Sequence, residues 1–73
     1  MSNRRKDRPL PSGYLRYDGD YDKVWYDIIT FNGVRYGFCW PNAGMFHTLN
    51  GRYISGNDVF AVKKSVGTPF DTA

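Results

Sequence analysis

The sequence predicts a mainly β domain: a small antiparallel sheet or a partly open SH3-like or OB-like barrel, with room for one short helix. Three observations carry that expectation. Residues 24–31 and 34–40 are runs of aromatic and β-branched residues on either side of Asn32-Gly33, the strongest short-range signal of a hairpin. Glu and Gln are absent and Ala and Leu occur three times each, so the best helix formers are nearly missing. Tyr, Phe, Val, Ile and Thr, which suit a pleated half-buried surface, fill the place they leave.

Seventy-three residues bound the chain to one domain with one modest core. Cys39 is the single cysteine, so no internal disulfide can staple it, and no Cys/His cluster has zinc spacing. Thirteen aromatic residues are the expected substitute, each burying a large apolar area.

Residues 1–12 read as a disordered basic arm, with Arg4, Arg5, Lys6 and Arg8 against Asp7 alone. The rest of the chain carries six basic and six acidic groups, so the whole excess of charge lies in this arm. Gly13–Tyr17 is the first candidate strand, with Tyr14 and Arg16 on one face and Leu15 and Tyr17 on the other. Residues 18–22 (Asp-Gly-Asp-Tyr-Asp) form an acidic turn.

The main hairpin is expected over 23–31 and 34–40. A two-residue type I′ turn at Asn32-Gly33 would place Phe31 opposite Val34, Ile29 opposite Tyr36 and Trp25 opposite Trp40. The face with Trp25, Asp27, Ile29, Phe31, Val34, Tyr36, Phe38 and Trp40 is then the expected core, by weight of apolar area. The face with Tyr26, Ile28 and Cys39 is too apolar to meet solvent alone and needs a cover.

Pro41 to Gly44 is expected to break the strand, with a short helical turn near 41–46 as the competing local reading. Asn50-Gly51 suggests a second hairpin, 45–49 against 52–55. A turn at 55–58 leads to a last strand, 59–63, and residues 65–73 read as a loose tail. The domain proper is thus 13–64.

Catalysis has thin support. Cys39 and His47 could pair as nucleophile and base with Asp27 or Asp58 as orienter, but a thiol in mid-hairpin is first a small packed side chain. The alternating acids Asp18, Asp20 and Asp22 lack the twelve-residue loop and terminal Glu of a calcium hand. No metal or cofactor is expected. Asp27, placed among apolar neighbours, needs a partner, with Arg16 and Arg52 the candidates.

A nucleic-acid reading would use Tyr14, Tyr17, Tyr26, Tyr36 and Tyr53 as stacking platforms. It would also require Arg16, Arg35, Arg52, Lys63 and Lys64 to cluster in space. A protein-docking reading uses the same residue types, since exposed Tyr, Trp and Arg dominate interface hot spots. A sheet that docks while the basic arm orders on an acidic surface is the favoured scheme.

With a tiny domain lacking a catalytic set, the Arg4-Arg5-Lys6…Arg8 arm and the aromatic hairpin, the whole chain resembles the small lytic-phage regulators that bind host RNA polymerase. In size it is similar to one that inhibits host initiation by displacing the σ factor and also acts in antitermination. The resemblance rests on size and character and transfers no residue by motif. It implies contacts with the polymerase β and β′ subunits, no cofactor and a site of action in the host bacterial cytoplasm. The residues themselves supply the candidate interface: Arg4, Arg5, Lys6, Arg8, Tyr14, Arg16, Tyr17, Asp18, Asp20 and Tyr21. Nucleic-acid contact is expected through the arm, and the chain is expected to be monomeric and to stay out of membranes.

Overall fold

Aromatic and β-branched runs punctuated by glycine turns form six short strands, and the computed structural model describes residues 9–67 and 69. The strands are β1 (Leu15–Arg16), β2 (Tyr26–Thr30), β3 (Arg35–Asn42), β4 (Met45–His47), β5 (Tyr53–Ser55) and β6 (Val59–Lys64). They make one open sheet in the order β1-β6-β2-β3-β4-β5, with every pair antiparallel. Among the described residues a single 310 turn, Gly56–Asp58, capped by the Ser55 hydroxyl, delivers the chain to β6. The mainly β expectation is met, and the one short helical element lies there, not at 41–46.

Both Asn-Gly pairs do turn the chain, but through three-residue loops. In the first, Thr30 N–H donates to the Val34 carbonyl and Gly33 N–H to the Thr30 carbonyl, with Gly33 at φ +89°. This is a tight turn followed by a left-handed residue, which adds one residue to the loop. The Thr30 hydroxyl holds it, donating to the Asn32 side chain and accepting from Val34 N–H at 3.1 Å. Thr48-Leu49-Asn50-Gly51-Arg52 repeats the arrangement: Thr48 bonds Arg52 through the backbone, and its hydroxyl serves Asn50 and Arg52 N–H. The two-residue turn with both φ values positive sits instead at Ala43-Gly44, between β3 and β4.

The extra loop residue moves the hairpin register by one. Ile28 faces Tyr36 and Ile29 faces Arg35, where the sequence had placed Ile29 opposite Tyr36. Because side chains alternate, a slip of one exchanges faces. The register recovers at Tyr26–Cys39 through a bulge that sets Gly37 and Phe38 against Asp27. Phe38 takes a positive φ there, and its N–H donates to Asp27 Oδ1 at 3.2 Å.

On β2 the main core therefore lies on the face opposite the one expected, although Tyr36 of the expected face does pack against it and Ile29 is buried in a second cluster. Tyr26, Ile28, Cys39, Phe46, Ile54, Val59 and Val62 form the main cluster, with Tyr17, Tyr21 and Tyr36 packed around it. Phe46 is fully buried, with Tyr17 and Tyr26 rings edge-on to it at 5.3 and 6.0 Å. β4 and β5 thus curl over β2, β6 and the end of β1 to supply the missing cover. Ile29, Phe60 and Ala61 form a smaller cluster on the outer face with Leu10, Tyr14 and Phe31.

Pro41 does not break β3. It is buried on the core side opposite Phe46, and the strand runs to Asn42. At the ends, residues 1–8 of the expected arm lie outside the described residues, while Leu10 packs on the outer cluster. Of the expected tail, Ser65 is bound to the sheet through the Trp25 carbonyl and Asp27, and 68 and 70–73 lie outside the description. No helix among the described residues is long and apolar enough to cross a membrane.

Candidate binding cleft

β1 is only two residues long, yet it fixes the edge on which the candidate residues gather. Leu15 and Arg16 pair with Val62 and Ala61 of β6, and Tyr17 N–H continues the ladder to the Phe60 carbonyl at 3.2 Å. The chain then leaves the sheet through residues 18–25 and returns as β2. Between this excursion and β6 opens a cleft of about 890 Å³. Arg16, Tyr17, Asp18, Asp20 and Tyr21 all line it, with Tyr26, Lys63 and Lys64 on the far side. Five of the residues picked from sequence are thus neighbours in space.

The excursion is tied down along its length. Asp18 Oδ1 accepts from Asp20 N–H at 3.1 Å, the local bond that makes aspartate a turn residue. Asp22 N–H donates to the Tyr26 phenol oxygen at 2.9 Å, and Lys64 Nζ meets Asp22 Oδ2 at 2.7 Å. That ion pair holds Lys64 charged beyond its ordinary range, chiefly through the hydrogen bond to Asp22. Burial pushes the Tyr17 phenol upward, with the Tyr21 phenol and the Asp18 and Asp20 carboxylates adding to it. One wall of the cleft is acidic, the opposite rim is basic, and tyrosine rings form the floor.

The remaining candidates lie elsewhere. Tyr14 is on the outer face, beneath Lys63 Nζ at 5.0 Å and the Arg35 guanidinium at 5.9 Å. Arg4, Arg5, Lys6 and Arg8 lie outside the described residues. The five tyrosines of the stacking scheme do not share a face either: Tyr17, Tyr26 and Tyr36 pack on the main core, Tyr14 and Tyr53 outside it. Lys63, Lys64 and Tyr26 were missed as cleft residues because only the β1–β6 and β6–β2 pairings bring them there.

Asp27 finds different partners from those expected. Its Oδ1 accepts from Phe38 N–H at 3.2 Å and from the Ser65 hydroxyl at 2.6 Å. Lys63 Nζ stands 4.0 Å from Oδ2. Arg16 and Arg52 are not among these contacts. The carboxylate pins the β3 bulge to β2 and β6.

Cys39 and His47 do not assemble into a pair. Cys39 is opposite Tyr26 on the core face, fully buried, while His47 is opposite Trp40 on the outer face and stacked on Tyr53 at 4.3 Å. Burial first, and then the Asp27 carboxylate, push the Cys39 thiol up to about 11. A folded-state pKa above the ordinary 9.0 means that stability is full below pH 9 and falls as pH rises from there through about 11. We therefore expect the urea midpoint of the wild type to fall more steeply between pH 8 and 11 than that of Cys39→Ala. The native thiol should also stay unreactive toward an aromatic disulfide reagent until the chain unfolds. Parallel pH profiles, or prompt labelling of the folded protein, would place this thiol outside the core.

Among the described residues no group of three or more His, Cys, Asp or Glu is arranged to hold a metal ion. Comparison with known proteins finds no matching family model, no matching curated sequence and no matching solved structure.

Proposed function

We propose that this chain is a non-catalytic regulator that binds bacterial RNA polymerase through its β and β′ subunits and inhibits initiation by displacing the σ factor, with a further part in antitermination. The observation that supports a docking role is the cleft: Arg16, Tyr17, Asp18, Asp20 and Tyr21 converge on one open edge of the sheet, backed by Lys63 and Lys64. Tyrosine bodies with charged rims are the composition of protein hot spots, and opposed charges across a groove select orientation and speed encounter. The partner class comes from the resemblance to small phage regulators. On this reading the protein acts as a monomer in the host cytoplasm and needs no cofactor.

The test uses purified, nuclease-treated core polymerase and labelled σ. Full-length protein should bind the core enzyme and release σ, and charge reversals at the cleft rim, Arg16→Glu or Asp20→Lys, should weaken that release about tenfold or more, the loss of roughly 1.4 kcal/mol or greater. Deleting residues 1–8 should weaken it while leaving the melting curve unchanged. Failure to bind core polymerase, or reversals that release σ as well as the wild type, would remove the reading.

A further inference from the structure

The outer face of the sheet, which meets the cleft only at Arg16 and Lys63, carries two features side by side. The first is an aromatic row crossing four chain segments. Trp25 and Trp40 meet edge-to-face at 5.0 Å, Trp40 is opposite His47, and His47 is opposite Tyr53 and stacked on its ring at 4.3 Å. None of the four is in the core, and Tyr53 is 65% exposed. The second is a basic patch. Ala61 pairs with Arg16 and Ile29, and Ile29 pairs with Arg35, so both arginines emerge on this face. Lys63 lies two residues along from Ala61 and therefore joins them.

The three cations stand over rings. Arg16 covers Phe60 at 5.8 Å, and Lys63 and Arg35 cover Tyr14 at 5.0 and 5.9 Å. Asp27 is a carboxylate on this face, and its oxygens already serve Phe38, Ser65 and Lys63. Asp18, Asp20 and Asp22 lie on the cleft side instead. Leu10 packs on the Ile29-Phe60-Ala61 cluster at the margin of the same face.

We infer that this outer face binds single-stranded nucleic acid, with phosphates on Arg16, Arg35 and Lys63, and bases on the Trp25-Trp40-His47-Tyr53 row. The chemistry selects that ligand. Stacked, partly exposed rings offer π-faces that unpaired bases can meet, while Arg16, Arg35 and Lys63 outnumber Asp27 among the described strand residues of this face and suit a phosphate chain. A duplex presents its phosphates but keeps its bases stacked on one another, so it can use the patch and not the row. Arg16 and Lys63 are shared with the cleft, whereas Arg35 and Tyr53 do not line it, so variants at those two positions address the outer face alone.

Fluorescence anisotropy with labelled oligo(dT) and oligo(U) of roughly twelve nucleotides, and a duplex of equal length, tests it in the full-length protein. Single strands should bind at low salt, quench the tryptophan emission and outcompete the duplex. Tyr53→Ala should weaken single-strand binding about tenfold, within the range of one lost base stack, and leave duplex binding unchanged. Arg35→Ala should weaken both and lower the slope of log affinity against log salt by about 0.7 for single strands and about 0.9 for the duplex. Melting curves close to the wild type certify both variants, and σ release by the same variants should be intact, so this site and the polymerase reading fail separately. Equal affinity for duplex and single strand, equal binding to heparin with no tryptophan quench, or wild-type binding by both variants would overturn the assignment.

Discussion

Phe46→Ala should leave this protein without a cooperative fold at room temperature. Phe46 is fully buried at the point where β4 closes over β2, and two rings, Tyr17 and Tyr26, pack edge-on to it. Truncating a buried phenylalanine costs about 3–5 kcal/mol, from lost transfer energy and the cavity left behind. A domain of this size has about the same total to lose. There is no disulfide to limit the unfolded chain, since Cys39 is the single cysteine. Phe46→Leu keeps most of the apolar volume and should fold, with a melting temperature lower by roughly 5–15 °C, at about 4–8 °C for each kcal/mol in a small domain. Near-ultraviolet circular dichroism and urea titration distinguish these cases. An Ala variant melting within a few degrees of the wild type would mean that β4 and β5 do not cover the core.

Phe46 also shows how far the sequence reaches. Its membership of a strand after the Pro41–Gly44 segment follows from residue type, and so do the fold class, both hairpins and the strand leading to Lys63. Its role as the centre of the core does not follow. The core face depends on one residue of register, which depends on whether Asn32-Gly33 closes a two- or a three-residue loop. The signal that decides is Thr30, whose hydroxyl binds both Asn32 and Val34. The same Thr-X-Asn-Gly spacing at Thr48 gives the same loop. Asn-Gly alone favours the shorter turn, so a reading that stops at the dipeptide selects the wrong face of β2. Pro41 misleads for a related reason. Its missing N–H argues against a central strand, yet the Ala43-Gly44 turn follows so closely that Pro41 faces Phe46 in a short three-pair ladder.

The candidate residues divide along the same line. Arg16 to Tyr21 are close in sequence and one loop keeps them close in space, so their grouping was legible. Lys63 and Lys64 join them through β1–β6 pairing, a contact between residues about fifty positions apart that no local pattern announces. The Trp40-His47-Tyr53 row is hidden for the same reason, since it needs the registers of two consecutive hairpins. Asp27 was marked correctly as a carboxylate in need of partners. Its partners come from a bulge and from the residue just beyond β6, and neither is visible before the register is known.

Gly56→Ala should destabilise the fold by about 1–3 kcal/mol, the range for forcing extra volume into a close-packed site, and Gly37→Ala should not. Both positions are glycines between polar or aromatic neighbours, and neither has a left-handed φ, so backbone freedom separates them no better than sequence does. Space does. A Cβ on Gly56 would lie 2.8 Å from the Gly44 carbonyl oxygen and 3.2–3.3 Å from the Tyr17 ring and hydroxyl. The Gly56 N–H already donates to that carbonyl at 2.8 Å, so the Ala43-Gly44 turn and the 310 turn are held in direct contact. A methyl group there must push apart two backbone segments or displace Tyr17 from the cleft floor. At Gly37 the nearest atom to a new Cβ is Asp27 Oδ1 at 3.6 Å, an ordinary contact, and the expected change is within about 0.5 kcal/mol. Urea midpoints measure the first effect. The second bears on the proposed docking role: because Tyr17 lines the cleft, that proposal requires Gly56→Ala to weaken σ release as well, at a concentration where the variant is still folded. A Gly56→Ala protein as stable as Gly37→Ala would show that β3–β4 and the 310 turn are not in contact. A destabilised variant with unaltered σ release would show that the turns yield while Tyr17 keeps its place.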